Sequence, residues 1–286
     1  MMINWIRNGV VSWLKHQKPL PHTPLSDFER IRHEVKPCDV ILVEGRSRVS
    51  EVIKLITQSS WSHAALYIGR LHDIEDPLLK DTLRSHYVGT ADKQLIIESE
   101  LGLGTIVRSL TTYELEHLRI CRPRGLGYAD SQKVVAHAIS ELGTAYDVRQ
   151  IFDLARFLFP WFIMPRRWRS SLFSTHPGKN THTVCSTMIA EGFGSIQFPI
   201  LPLVKRIESG KVRLYMRNPK LCTPSDFDYS PYFDIIKYPF LDFHRYAEQR
   251  LIPWEGGGEL TAEEREMYVA ADGHAPSAED AETTKS

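Results

Sequence analysis

Along the chain, apolar residues first recur with a helical period. Ile3, Ile6, Val10, Trp13 and Leu14 fall on one stripe, with Trp5 beside it and Arg7, Lys15 and Lys18 elsewhere. The stripe predicts an amphipathic helix ended by "KPLPHTP", because proline lacks an N–H and fixes φ, and residues 1–34 read as helix plus linker. From residue 35 onward the text is that of a compact domain. "DVILVEG" (39–45) is a β-rich run closed by glycine, a strand. "RVSEVIKLITQ" (48–58) sets Val49, Val52, Ile53 and Ile56 at helical spacing. "SHAALYIG" (62–69), "KQLIIESE" (93–100), "GTIVRSL" (104–110) and "HLRICRP" (117–123) read as strands. A polar excursion over 71–92 lies between the first two. "ADSQKVVAHAISEL" (129–142) is a helix ended by Gly143. "VCSTMIAEGF" (184–193) is another helix, and "YFDIIKYP" (232–239) a last short strand. No internal repeat is present. Strands and helices joined in this mixed order predict an α+β domain rather than a regular βαβ repeat.

Two segments differ from the rest. "LARFLFPWFIMPRRWRSSLF" (154–173) packs aromatics against prolines and then arginines. Beyond Trp254 the chain is rich in glycine, alanine and acid and poor in large apolar residues. Such a tail, 255–286, cannot offset its ordering entropy and is expected to be disordered.

At 286 residues the chain is long enough for a full core, and its hydrophobic fraction of 42% is that of a soluble globular protein. Lys+Arg 35 balance Asp+Glu 35. That balance gives no support to nucleic acid as a partner. Cys38, Cys121, Cys185 and Cys222 are far apart with no CxxC pair, which reads as reduced thiols. Arg7 and Asn8 interrupt the N-terminal apolar stretch and no cleavage site follows, so a secretory signal is not expected. No stretch is apolar and long enough to span a bilayer. The expected location is cytoplasmic, with peripheral contact at the inner face of the membrane through 1–18 and 154–173 as one reading. Packing of both segments on their own domain is the other.

In "THTVCSTMIAEGF", Cys185 begins an apolar helical run, with Thr183 as a candidate N-cap hydroxyl. A cysteine in the first turn faces free backbone N–H groups, which favour its thiolate and could hold an oxyanion. A small buried side chain is the bland alternative. His63 opens a strand in "SSWSHAALYIGR", behind Trp61 and flanking serines, where an imidazole can reach a cleft or merely cap the strand. In "LIIESE", Glu98 and Glu100 share a face because side chains alternate along a strand. Spacing does not decide which of them would point at His63.

The succession "PCDVILVEG", "SHAALYIG", "LIIESE", "ELGTAYD", "VCSTMIAEGF" and "TPSDFDYS" resembles the circularly permuted branch of the NlpC-like papain-fold cysteine peptidases, the YiiX-like proteins. There histidine comes first, the acid next and the nucleophile last. The resemblance covers roughly residues 35–240 within a domain taken as 35–254. It implies a permuted papain-like fold, with a central antiparallel sheet or partial barrel packed against helices, the nucleophile helix among them. It also implies Cys185 as nucleophile, His63 as general base and acid, and Glu98 as the residue orienting the imidazole. Tyr146 of "AYD" and Ser186 of the "CS" pair match recurrent positions, and with Trp61 they are assigned to substrate binding. The expected activity is hydrolysis of an amide in a peptidoglycan-type peptide or related acyl-amide through an acyl-enzyme, with no metal or organic cofactor. Insertions at 71–92 and 154–180 depart from the family pattern.

Three other readings stay open. Lecithin–retinol acyltransferase-like relatives share the cysteine–histidine pair but act on lipid acyl chains, and "FLFPWFIMP" with "RRWR" would suit a lipid surface. His176, His182 and Cys185 have ligand-type side chains close together, though not at a standard zinc spacing. A scaffold that only binds would leave Cys185 unreactive.

Overall fold

In the computed structural model, residues 16–17, 25–144, 185–206 and 212–240 are described, the side chains of Val52 and Ile56 excepted. The N-terminal stripe, Thr183, Tyr146, His176, His182, the segment 154–180 and the tail 255–286 lie outside these residues.

Six strands form one sheet: β1 (Val40–Glu44), β2 (His63–Arg70), β3 (Gln94–Glu100), β4 (Gly104–Ser109), β5 (His117–Pro123) and β8 (Phe233–Ile236). Their order is β4-β3-β2-β1-β5-β8, and every neighbouring pair is antiparallel. The fold is α+β. Antiparallel strands alternate their side chains between two faces, and both faces here are buried. Val40, Leu42, Ala64, Leu66, Leu95 and Ile97 join one core, whereas Ile41, Val43, Ala65, Tyr67 and Ile96 join the other. This explains why the strands read as continuous apolar runs.

The first core is covered by helices α3 (Pro77–His86), α4 (Tyr128–Ser140), α5 (Cys185–Ser195) and α6 (Pro224–Tyr229). From these helices Leu83, Val134, Val135, Ala138, Met188, Ile189, Phe193 and Phe227 enter it. The second is covered by α1 (Phe28–Glu34), where Asp27 caps Arg30 N and Phe28 and Ile31 are buried. Residues 25–34, grouped with the linker in the sequence reading, therefore pack with the domain. Ser26 Oγ donates to Leu118 O at 3.0 Å and accepts from Leu118 N at 2.9 Å. Seven residues are too few for a stable isolated helix, so the buried Phe28 and Ile31, each contributing about 1.5–3 kcal/mol, hold it.

Helix α2 (Arg48–Thr57) starts at Ser47, whose Oγ accepts from Ser50 N, and ends at Gln58 in the left-handed region. The excursion 71–92 is itself structured. Asp76 caps Leu78 N and Leu79 N, Pro77 opens α3, and Leu71, Ile74 and Leu83 are buried. Strands β6 (Leu203–Arg206) and β7 (Val212–Tyr215) form a separate two-stranded ribbon. Among the described residues no helix is long and apolar enough to cross a membrane.

Candidate active site

Three distant segments meet at one end of the sheet. His63 is the first residue of β2, Glu98 lies near the end of β3, and Cys185 is the first residue of α5. Alternation puts His63 with Ala65 and Tyr67, and Glu98 with Ile96, on the second-core face. Gly45 follows β1 beside them. A Cβ there would collide with Ser50 Oγ, and Ser62 Oγ accepts from Gly45 N at 2.9 Å, so a side chain would push α2 away from the strand ends.

Glu98 Oε2 lies 2.6 Å from His63 Nε2 and also accepts a hydrogen bond from Tyr113 OH. A carboxylate only accepts, so His63 Nε2 carries the proton. Among the described residues Glu98 Oε1 has no hydrogen-bond partner, but it stands 3.5 Å from Arg108 Nε. Arg108 in turn pairs with Glu100 through Nη2. The two acids on the shared face thus diverge: Glu98, fully buried, meets the imidazole, and Glu100 anchors the arginine.

With Nε2 taken, Nδ1 is the remaining ring nitrogen for the side-chain hydrogen bond between His63 and Cys185. The backbone N–H groups of Ala64 and Ser186 also act on the sulfur, favouring its thiolate. Cys185 is only 4% exposed, and the His63 side chain 20%. Both line a cleft of about 470 Å³ between α2, the ends of β1–β3 and residues 111–116.

Burial alone would push the Cys185 thiol up. The positive charge and hydrogen bond of His63, with the two backbone N–H groups, outweigh it and leave the thiol below its ordinary value. Burial would likewise depress His63, but the thiolate of Cys185 and the carboxylate of Glu98 raise it well above the ordinary histidine value. Glu98 is buried too, yet His63, the Tyr113 hydroxyl and Arg108 hold it below the usual carboxylate range. These surroundings favour thiolate at Cys185, imidazolium at His63 and carboxylate at Glu98. The other thiols go the opposite way: burial lifts Cys38 to about 12 and raises Cys121 and Cys222 as well.

Two residues expected at the substrate make other contacts in the structure. Trp61 is 4% exposed and does not line the cleft. Its Nε1 donates to Asp228 Oδ2 at 3.2 Å, and the Arg119 guanidinium stacks 4.6 Å from the ring centroid. Replacing Trp61 by Phe should therefore lower stability by about 1–2 kcal/mol, seen in thermal melting, and leave the alkylation rate of Cys185 within about twofold. A changed alkylation rate with unchanged melting would return Trp61 to the substrate site. Ser186 is fully buried, and its Oγ donates to Cys222 O at 2.6 Å. The hydroxyl ties α5 to the segment before α6, and only the backbone N–H of Ser186 reaches the sulfur.

Tyr113 and Arg108 were not singled out from sequence. The β3–β4 register pairs Ile96 with Arg108 and Glu98 with Ile106, so Arg108 shares the face of Glu98. Counting across the short "LGLG" turn would have found it. Tyr113, beyond the end of β4, carries no such periodic signal. Tyr113→Phe keeps the ring and removes the donor to Glu98. The carboxylate then charges less readily, His63 holds its proton less firmly, and the pH midpoint of Cys185 alkylation should move up. An unmoved midpoint would show that Tyr113 does not act on the pair.

No protein-family model matches this chain, and no curated protein matches it. Among solved structures it is similar to the crystal structure of metalloprotein yiiX from Escherichia coli O157:H7, DUF1105, with 15% sequence identity and a TM-score of 0.42, over 71% of this chain and 97% of that chain. The likeness is distant.

Proposed function

We propose that this chain is a cysteine hydrolase of permuted papain-like type that cleaves an amide bond through an acyl-enzyme. One observation carries the reading: a single imidazole bonded to a buried glutamate lines the same cleft as a cysteine at the start of a helix, and the two interact electrostatically.

The Cys185 thiolate, already relieved of its proton by His63, attacks the substrate carbonyl carbon. The carbonyl π electrons move onto oxygen, and the backbone N–H of Cys185, in the first turn of α5, stabilises that oxyanion. His63⁺ gives its Nδ1 proton to the leaving nitrogen as the carbon–nitrogen bond breaks, and a thioester remains. Neutral His63 then takes a proton from water, hydroxide adds to the thioester, and the acid leaves as Cys185 departs as thiolate. Throughout, Glu98 accepts from Nε2 and stabilises the imidazolium. Val49, Ile53, Leu101 and Leu115 line the cleft with Ser47 and Thr111, which suits an acyl-amide or peptide carrying apolar side chains. His63 stands between thiol and carboxylate with one ring nitrogen for each, and among the described residues no group of three or more histidine, cysteine or acidic side chains is placed to hold a metal ion.

Peptide amides and acyl esters presented to the protein should release amine from the amides and leave a transient acyl adduct on Cys185 by mass spectrometry. An adduct on another residue, or product with no adduct, would overturn the reading.

A further inference from the structure

The β6–β7 ribbon is hydrogen-bonded within itself and not to the six-stranded sheet. All eight of its residues are exposed. Leu203, Val204, Val212 and Leu214 are each more than half exposed, and so is Met216 just beyond. A two-stranded ribbon without a covered face is marginal in water, and contiguous exposed apolar surface of this kind marks a contact site.

Charge says what it contacts. Residues 203–220 carry Lys205, Arg206, Lys211, Arg213, Arg217 and Lys220 against the single acid Glu208. Arg217 is paired with Asp226 at 3.3 Å, whereas Arg206 and Arg213 have no acidic partner among the described residues. The register sets Lys205 directly opposite Arg213. Like charges across a pair destabilise a ribbon, and an anionic surface removes that penalty. On the other face Val204 is opposite Leu214, and Val212 opposite Arg206. One face is thus basic, with Leu203 and Tyr215 beside the cations, and the other is mainly aliphatic. A second copy of the ribbon would bring cations against cations, which opposes edge pairing. Nucleic acid is read by stacking on aromatics, and Tyr215 is the ribbon's lone aromatic ring. Aliphatic side chains that enter an acyl boundary while cations meet phosphates are the chemistry of an interfacial anchor.

We infer that the β6–β7 hairpin docks the protein on an anionic lipid surface. It is a different stretch of sequence from 1–18 and 154–173 and does not depend on the hydrolase reading.

The test is co-sedimentation of the full chain with vesicles of phosphatidylcholine containing 30% phosphatidylserine, and with phosphatidylcholine alone, near 0.15 M salt. The native protein should partition onto the anionic vesicles only. Each cation near such a surface is worth about fivefold in partition, so Lys205→Gln with Arg213→Gln should lower it about 30-fold. Val204→Ser with Leu214→Ser, which keeps every charge, should lower it about tenfold. All four positions are exposed, so thermal melting should not move. Native binding that both double variants retain would place the contact elsewhere and overturn the proposal. So would absence of vesicle binding, or loss in these variants of self-association or of binding to a single-stranded RNA, with vesicle binding unaffected.

Discussion

Replacing Cys185 by alanine should reduce amide turnover by a factor on the order of 10⁴–10⁶, to the level set by binding and backbone donors alone. Cys185 is the only one of the four thiols whose surroundings favour the thiolate, and the others are held protonated by burial. No second thiol can therefore substitute at neutral pH. The change is also small in structural terms, since Met188, Ile189 and Phe193 anchor α5 in the core and remain in place. The variant should fold with a near-native melting profile, and labelling by iodoacetamide at pH 7 should vanish with the activity. Turnover within tenfold of native would mean that the reaction uses another group.

Replacing His63 by alanine should have the second largest effect, and its sign follows from the balance of causes. In the native protein burial pushes the thiol up while the imidazolium pulls it down, and the imidazolium wins. Removing the imidazole leaves burial without its main opponent. The alkylation midpoint should then pass from below the free-thiol value of about 8.5 to above it. At pH 7 such a thiol is less than about 3% ionised, so alkylation should slow by about thirtyfold or more. Native alkylation should rise through its low midpoint and stay level as pH increases, because His63 keeps its proton well above the ordinary histidine range. A variant whose pH profile overlays the native one would show that imidazole and sulfur do not share a proton.

Much of the scaffold was legible because burial writes itself into residue type. The five strands over 39–123 and the helices at 48–58, 129–142 and 184–193 were expected where they occur, within about two residues at each end. Short elements were less legible. Helix α1 buries only Phe28 and Ile31, too few to make a period, although Asp27 is a good cap. Helix α3 announces itself through Asp76 and Pro77, a cap followed by proline at the first turn, and was hidden by the polarity of the rest of 71–92. The β6–β7 ribbon has no buried face to set an alternation.

At the site, residue chemistry marked Cys185, His63 and the acid pair, but the choice between Glu98 and Glu100 needed the third dimension. Both sit on one face, and the difference lies in partners from other elements: Tyr113 and Arg108 act on Glu98, whereas Glu100 pairs with the Arg108 guanidinium. Trp61 and Ser186 stand next to active-site residues in sequence. Trp61 lies two residues ahead of β2, outside the strand's alternation, and its side chain meets Asp228 and Arg119 instead of the cleft. Adjacent helical residues lie about 100° apart, which aims Ser186 at Cys222.

The central claim is that Cys185 and His63 exist as a thiolate–imidazolium pair in the resting protein. It is tested most directly by the ultraviolet absorbance of thiolate near neutral pH, native minus Cys185→Ala. A thiolate difference that develops below the free-thiol value of about 8.5 and is lost on acidification is the predicted result. A difference that appears only as the pH climbs past about 8.5 would contradict it.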